Sequence, residues 1–100
     1  MATVELIPPT TDAATERLST GNYREVTIMA SNIANAETVD IYIETPDGDL
    51  LTLAAWDGRT NAIDATNMAV TLVGGPDYYI DKSATAGSSG VYFAPVNNNG

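Results

Sequence analysis

Cysteine and histidine are both absent from these 100 residues, and only four Lys and Arg side chains stand against thirteen Asp and Glu. Without imidazole or thiolate there is no structural or catalytic zinc set of the usual kind, and no His-based or Cys-based nucleophilic relay. Metal and cofactor sites are accordingly expected to be none. The missing cysteines also rule out disulfides and fit synthesis in a reducing cytoplasm. A formal charge of −9 argues against binding the outside of a nucleic acid, which depends on cations that neutralise phosphates. Anionic membrane surfaces are disfavoured for the same reason. Long apolar runs are lacking as well: the stretches around 50–56 and 68–73 are far too short to cross a bilayer. Met1–Leu6 has neither a basic nor an apolar segment of the kind that marks a secretory signal. This inventory points to a non-enzymatic structural or binding module.

What is present is strand periodicity. Val39, Ile41 and Ile43 alternate with Asp40, Tyr42 and Glu44, which sends the aliphatic set to one face and the polar set to the other. Val26 and Ile28, Val70 and Leu72, and Val91 and Phe93 show the same spacing. Val4 and Leu6 flank Glu5 in a short first strand that Pro8-Pro9 is expected to end, since proline donates nothing to a ladder. Turn chemistry punctuates the chain. Thr45-Pro46-Asp47-Gly48 predicts a hairpin between strands near 38–45 and 49–55, with Gly48 in a left-handed conformation. Asp57-Gly58 and Gly74-Gly75-Pro76-Asp77 mark further turns, and Ala86–Gly90 reads as a flexible connection. Asp12–Leu18 and Ser31–Ala36 are the only candidate helical turns, capped by Thr11 or Asp12 and by Ser31.

About seven short strands at roughly ten-residue spacing predict one all-β domain over residues 1–100. The expected architecture is an antiparallel β-sandwich (Ig-like) or a small barrel, with at most a short helical turn. Residues 1–22 would supply the first strand and an extended arm. A core this small has modest stability, and subunit contacts would add to it.

Candidate chemistry is sparse. Glu37, Asp40, Glu44, Asp47 and Asp49 cluster in sequence, but they read as a solvated sheet face and turn residues rather than as a cation site or a glycosidase pair. Lys82, the single lysine, reads as a surface residue at a strand end. Trp56 either closes the core or stands exposed as a platform for a sugar. Adjacent Tyr78 and Tyr79 must face opposite ways in a strand, so one belongs to the core and the other is a candidate contact residue. Ile7-Pro8-Pro9-Thr10-Thr11 is polyproline-like; it either crosses the domain surface or lies along a neighbouring subunit.

Three stretches carry a family resemblance: Leu6–Ala14, Ala34–Ile41 and Gly75–Tyr92. Together they resemble small virion proteins of tailed bacteriophages, among which stand-alone acidic β-domains serve as capsid decoration (cement) proteins. Where that pattern carries Gly-Pro-Gly and then Tyr-Arg, this chain has Gly75-Pro76-Asp77 and then Tyr78-Tyr79. The resemblance implies a domain made in the host cytoplasm that clamps the outer surface of the assembled head. Its partners would be the major capsid protein and two further copies of itself in a homotrimer. A tail or head-fibre module that binds a host glycan or another virion protein is the alternative.

Overall fold

Alternation of aliphatic and polar residues becomes nine strands in the computed structural model, which describes residues 3–34, 36–53 and 62–97. In chain order they are β1 (Val4–Thr10), β2 (Ala14–Ser19), β3 (Tyr23–Ala30), β4 (Val39–Glu44), β5 (Leu50–Thr52), β6 (Ala62–Ile63), β7 (Ala69–Val73), β8 (Asp77–Lys82) and β9 (Ser89–Asn97). One sheet runs β1-β9-β3-β7 and the other β2-β8-β4-β5, with β6 also pairing with β4. Every pairing is antiparallel. The expected sandwich is therefore the fold.

Its connectivity is that of a jelly roll. With β6 set aside, eight strands form two four-stranded sheets, and each link except β4–β5 carries the chain from one sheet to the other. An immunoglobulin domain distributes its strands differently, as ABED against CFG. The core lies between the sheets. Val26, Ile28, Leu72 and Val91 face inward from one sheet, and Val39, Ile41, Tyr78 and Ile80 from the other, all essentially without solvent exposure. Burying a side chain of this size stabilises the fold by about 1.5–3 kcal/mol.

Three local expectations fail, each for a visible reason. The first strand does not stop at Pro8-Pro9 but runs to Thr10. β1 pairs only with β9, so it is an edge strand, where a missing amide on the solvent side costs no ladder bond. The register slips between Glu5 and Ile7 and again between Ile7 and Thr10, which turns Ile7 rather than Leu6 into the core. Likewise, Asp12–Leu18 forms no helix. Ala14–Ser19 is an edge strand on β8 with Leu18 as its one buried side chain, so pairing overrides a weak helical tendency. Ser31 caps nothing helical; its hydroxyl accepts from the Gly90 amide at 3.1 Å.

The Thr45–Gly48 turn forms as expected. The Gly48 amide donates to the Thr45 carbonyl at 2.9 Å, Gly48 takes φ 93°, and the Thr45 amide returns to the Asp49 carbonyl at 2.8 Å. Trp56, the Asp57-Gly58 turn, and Ala54 and Ala55 of the expected second hairpin strand lie outside the described residues.

Candidate functional site

The outer face of the β2-β8-β4-β5 sheet brings together two tyrosine rings, four carboxylates and an arginine. Residues opposite one another set its rows. Asp40 stands across from Asp81, Tyr42 from Tyr79, and Glu44 from Asp77, with Arg17 of β2 continuing the tyrosine row. Strands β4 and β8 thus present the same motif in opposite directions, Asp40-x-Tyr42-x-Glu44 against Asp77-x-Tyr79-x-Asp81. The result is a ladder with acids at both ends and tyrosines in the middle.

The tyrosine rings lie 6.5 Å apart at a 56° tilt, a geometry aromatic pairs favour. Arg17 reaches over Tyr79, its guanidinium carbon 5.8 Å from the ring centroid, and its Nε donates to Glu44 Oε1 at 2.7 Å. That contact raises the Arg17 pKa further, chiefly through the hydrogen bond and the charge of Glu44. At the other end, burial and then the neighbouring Asp81 charge push the Asp40 carboxyl above its ordinary value. The Tyr42 phenol is also raised, first by burial and then by Asp40 and Asp81. Beyond the Glu44–Asp77 end, Ile43, Thr45, Pro46, Gly75 and Pro76 line an open groove of about 440 Å³.

The residues singled out from the sequence are dispersed. Tyr78 is in the core, and its hydroxyl donates to the Val73 carbonyl at 2.7 Å; Tyr79 is the outward ring. In the proline segment Ile7 is buried, Pro8, Pro9 and Thr11 are exposed, and Thr10 is half-buried. The sequence cluster of acids also separates. Glu37 spans two loops, accepting from the Ala34 amide through Oε1 and the Ala86 amide through Oε2, both at 2.8 Å. Those bonds hold its carboxyl below the usual range and fasten the Ala86–Gly90 connection, read above as flexible. Asp47 accepts from the Thr45 hydroxyl within the turn, which lowers its pKa. No group of three or more potential ligands of a metal ion occurs among the described residues.

Lys82 corrects the reading most sharply. It is not a surface residue but fully buried, with its Nζ donating to the carbonyls of Asp12 at 2.6 Å, Thr10 at 3.0 Å and Ser83 at 3.4 Å. An ammonium has three protons, and all three have acceptors here. The residue therefore fastens the β1–β2 corner onto the end of β8. Thr20, equally buried, does the same at the other end: its hydroxyl donates to the Pro76 carbonyl and accepts from the Gly75 amide at 2.9 Å. Nothing in the sequence marks either role, because both depend on loops that meet only in the fold. The Asp40-x-Tyr42-x-Glu44 half of the ladder was read as a polar strand face, whereas the Asp77-x-Tyr79-x-Asp81 half was missed, although the same period-two spacing marks it.

Opposed pKa shifts make a pH test. Raising the folded pKa of Asp40 means that the native state binds the extra proton, so stability falls as pH climbs through and above its ordinary value near 3.8. Asp40→Asn is expected to raise the thermal midpoint at pH 7, with the gain shrinking as the wild-type carboxyl protonates in acid. Glu37 behaves in the opposite sense. Its lowered pKa gives stability that is present above 4.5 and lost as pH falls through the folded value. Glu37→Gln, which keeps only one acceptor oxygen for two amides, is expected to lower the midpoint at pH 7 and to converge on the wild type in acid. Parallel melting curves from pH 2 to 8 check both. A gain from Asp40→Asn that persists undiminished at pH 2 would refute the ionisation account.

No family model matches this chain, and neither does any curated protein sequence. A solved structure does match. The crystal structure of SPBc2 prophage-derived protein YomS superposes with a TM-score of 0.72, covering 94% of this chain and 90% of that one at 14% identity. The two proteins share the fold.

Proposed function

We propose that this chain is a non-enzymatic structural component of a bacteriophage virion, a decoration protein that binds the outer surface of the assembled head and stabilises its coat lattice. The carrying observation is the form of the candidate surface. Tyrosines and carboxylates stand on an open sheet face, fixed by strand pairing on both sides, which suits them to contact rather than to enclose a reactant. The prophage source of a protein with the same fold supports the phage setting, as does the resemblance to small virion proteins. A net charge of −9 suits the outside of a shell better than its DNA-facing interior.

Such a protein acts by mass action: whatever binds the assembled lattice and not its parts shifts the balance toward the lattice. Many copies on one shell allow each contact to be weak, and a homotrimer seated across several coat subunits would add avidity. Mixing purified protein with heads that lack it is expected to give saturable, near-stoichiometric cosedimentation and heads that survive higher temperature. Absence of cosedimentation would overturn the reading. The paired outward rings Tyr42 and Tyr79 also fit a second reading, a tail or fibre module that stacks a host sugar. Signal on a glycan array that is lost on Tyr79→Ala would favour it.

A further inference from the structure

The acid–tyrosine–acid ladder already shows how it holds a cation. At one end the Arg17 guanidinium lies over the Tyr79 ring and donates to Glu44, combining a ring face with a carboxylate. The other end offers the same parts: the Tyr42 ring beside Asp40 and Asp81, directly opposite each other on β4 and β8. Among the described residues no basic side chain stands against that end, and the one ion pair is that of Arg17. Like charges facing each other across a strand pair destabilise a sheet, and a cation seated between Asp40 and Asp81 would relieve that repulsion. Both acids are half-buried, where charge interactions are screened less than in open water.

The opposite sheet makes a useful contrast. Among the described residues its outer face carries Tyr92, Met29, Thr27 and Ala94, and its acids are Glu5 and Glu25, which pair across from Tyr92 and from Val96 and Val73 and not from each other. Charge complementarity therefore distinguishes the two faces.

We infer that the outer face of the β2-β8-β4-β5 sheet docks a basic protein surface, seating an arginine side chain of the partner between Asp40 and Asp81 against the Tyr42 ring. Arginine rather than lysine is the occupant, because a planar guanidinium stacks on a ring and bonds two acceptors at once. No bond is made or broken; the contact is an ion pair with a stacked ring. This inference rests on the proposed function for the identity of the partner as a coat subunit, but the seat itself is defined by this chain alone.

A capped ten-residue peptide of alternating glycine and arginine serves as the probe, titrated into isotope-labelled full-length protein and followed by NMR. Shifts are expected to concentrate at Asp40, Tyr42, Tyr79 and Asp81, with weaker binding of the glycine–lysine analogue and steep weakening by salt. Asp40→Asn with Asp81→Asn should weaken binding by about tenfold or more, whereas the same charge change at Glu5→Gln with Glu25→Gln on the other face should leave it within about twofold. Equal losses from the two double variants, or shifts centred elsewhere, would overturn the seat. The same variants in cosedimentation with heads separate the two claims. If wild-type protein binds heads and the Asp40/Asp81 variant binds equally well, the docking face is wrong and the head-binding reading stands. If the peptide binds the ladder as described while wild-type protein ignores heads, the head-binding reading fails and the seat stands. Amide spectra of both variants verify that they remain folded.

Discussion

Replacing Gly74 with alanine is expected to lower stability by roughly 2–4 kcal/mol, enough to drop the thermal midpoint of a 100-residue domain by about 10–20 °C. The cause is a close crossing of backbones. A methyl carbon on Gly74 would stand 1.9 Å from the Tyr23 carbonyl oxygen and 2.5 Å from its carbon, and neither atom can swing away as a side chain would. The Gly74 amide meanwhile donates to the Arg24 carbonyl at 2.9 Å, which keeps the two segments together. The neighbouring Gly75 differs in kind. Space around it is open, but its φ of 118° lies where side chains are strained, so Gly75→Ala is expected to cost only about 1–2 kcal/mol. Thermal melts of the two variants check the order. If Gly74→Ala melts with the wild type, the β7–β8 crossing does not press on the start of β3 as described.

Lys82→Met should be comparably damaging, by about 2–4 kcal/mol. Methionine fills a similar volume but leaves the Thr10 and Asp12 carbonyls without the ammonium that now satisfies them. Loss of these bonds should also quicken hydrogen exchange at the Thr85 amide, which donates to Thr11 in the same corner. Because Lys82 is the chain's single lysine, an amine-reactive reagent gives a second reading. Native protein should label only at its terminal amine, and Lys82 should react once denaturant is added. Rapid native labelling of Lys82 would mean that the ammonium is not enclosed.

Strands were legible where period two was strong, as in β3, β4, β7 and β9, and so was the β4–β5 hairpin, whose Pro-Asp-Gly sequence dictates its own geometry. Connectivity was not. A Gly-Gly-Pro-Asp turn between two strands of one sheet and one that crosses between sheets use the same residues, so the crossing at Gly74–Asp77 carries no local mark. Edge strands were the least legible elements. β1 accommodates Pro8 and Pro9, and β2 buries little besides Leu18, so neither had to obey the pattern of an interior strand. Lys82 was misread because a charged residue is rarely buried unless paired, and here the acceptors are main-chain carbonyls that composition does not reveal. The candidate surface falls between these cases. Both acid–tyrosine–acid repeats are visible in sequence, but that they face each other in register follows only from the pairing of β4 with β8.

Imaging of heads assembled with and without this protein tests the account most directly. The expected difference map shows added density on the outer shell alone, shaped to the two-sheet sandwich, with the Tyr42–Tyr79 ladder turned toward basic residues of the coat. Identical maps, or density confined to the tail, would contradict it.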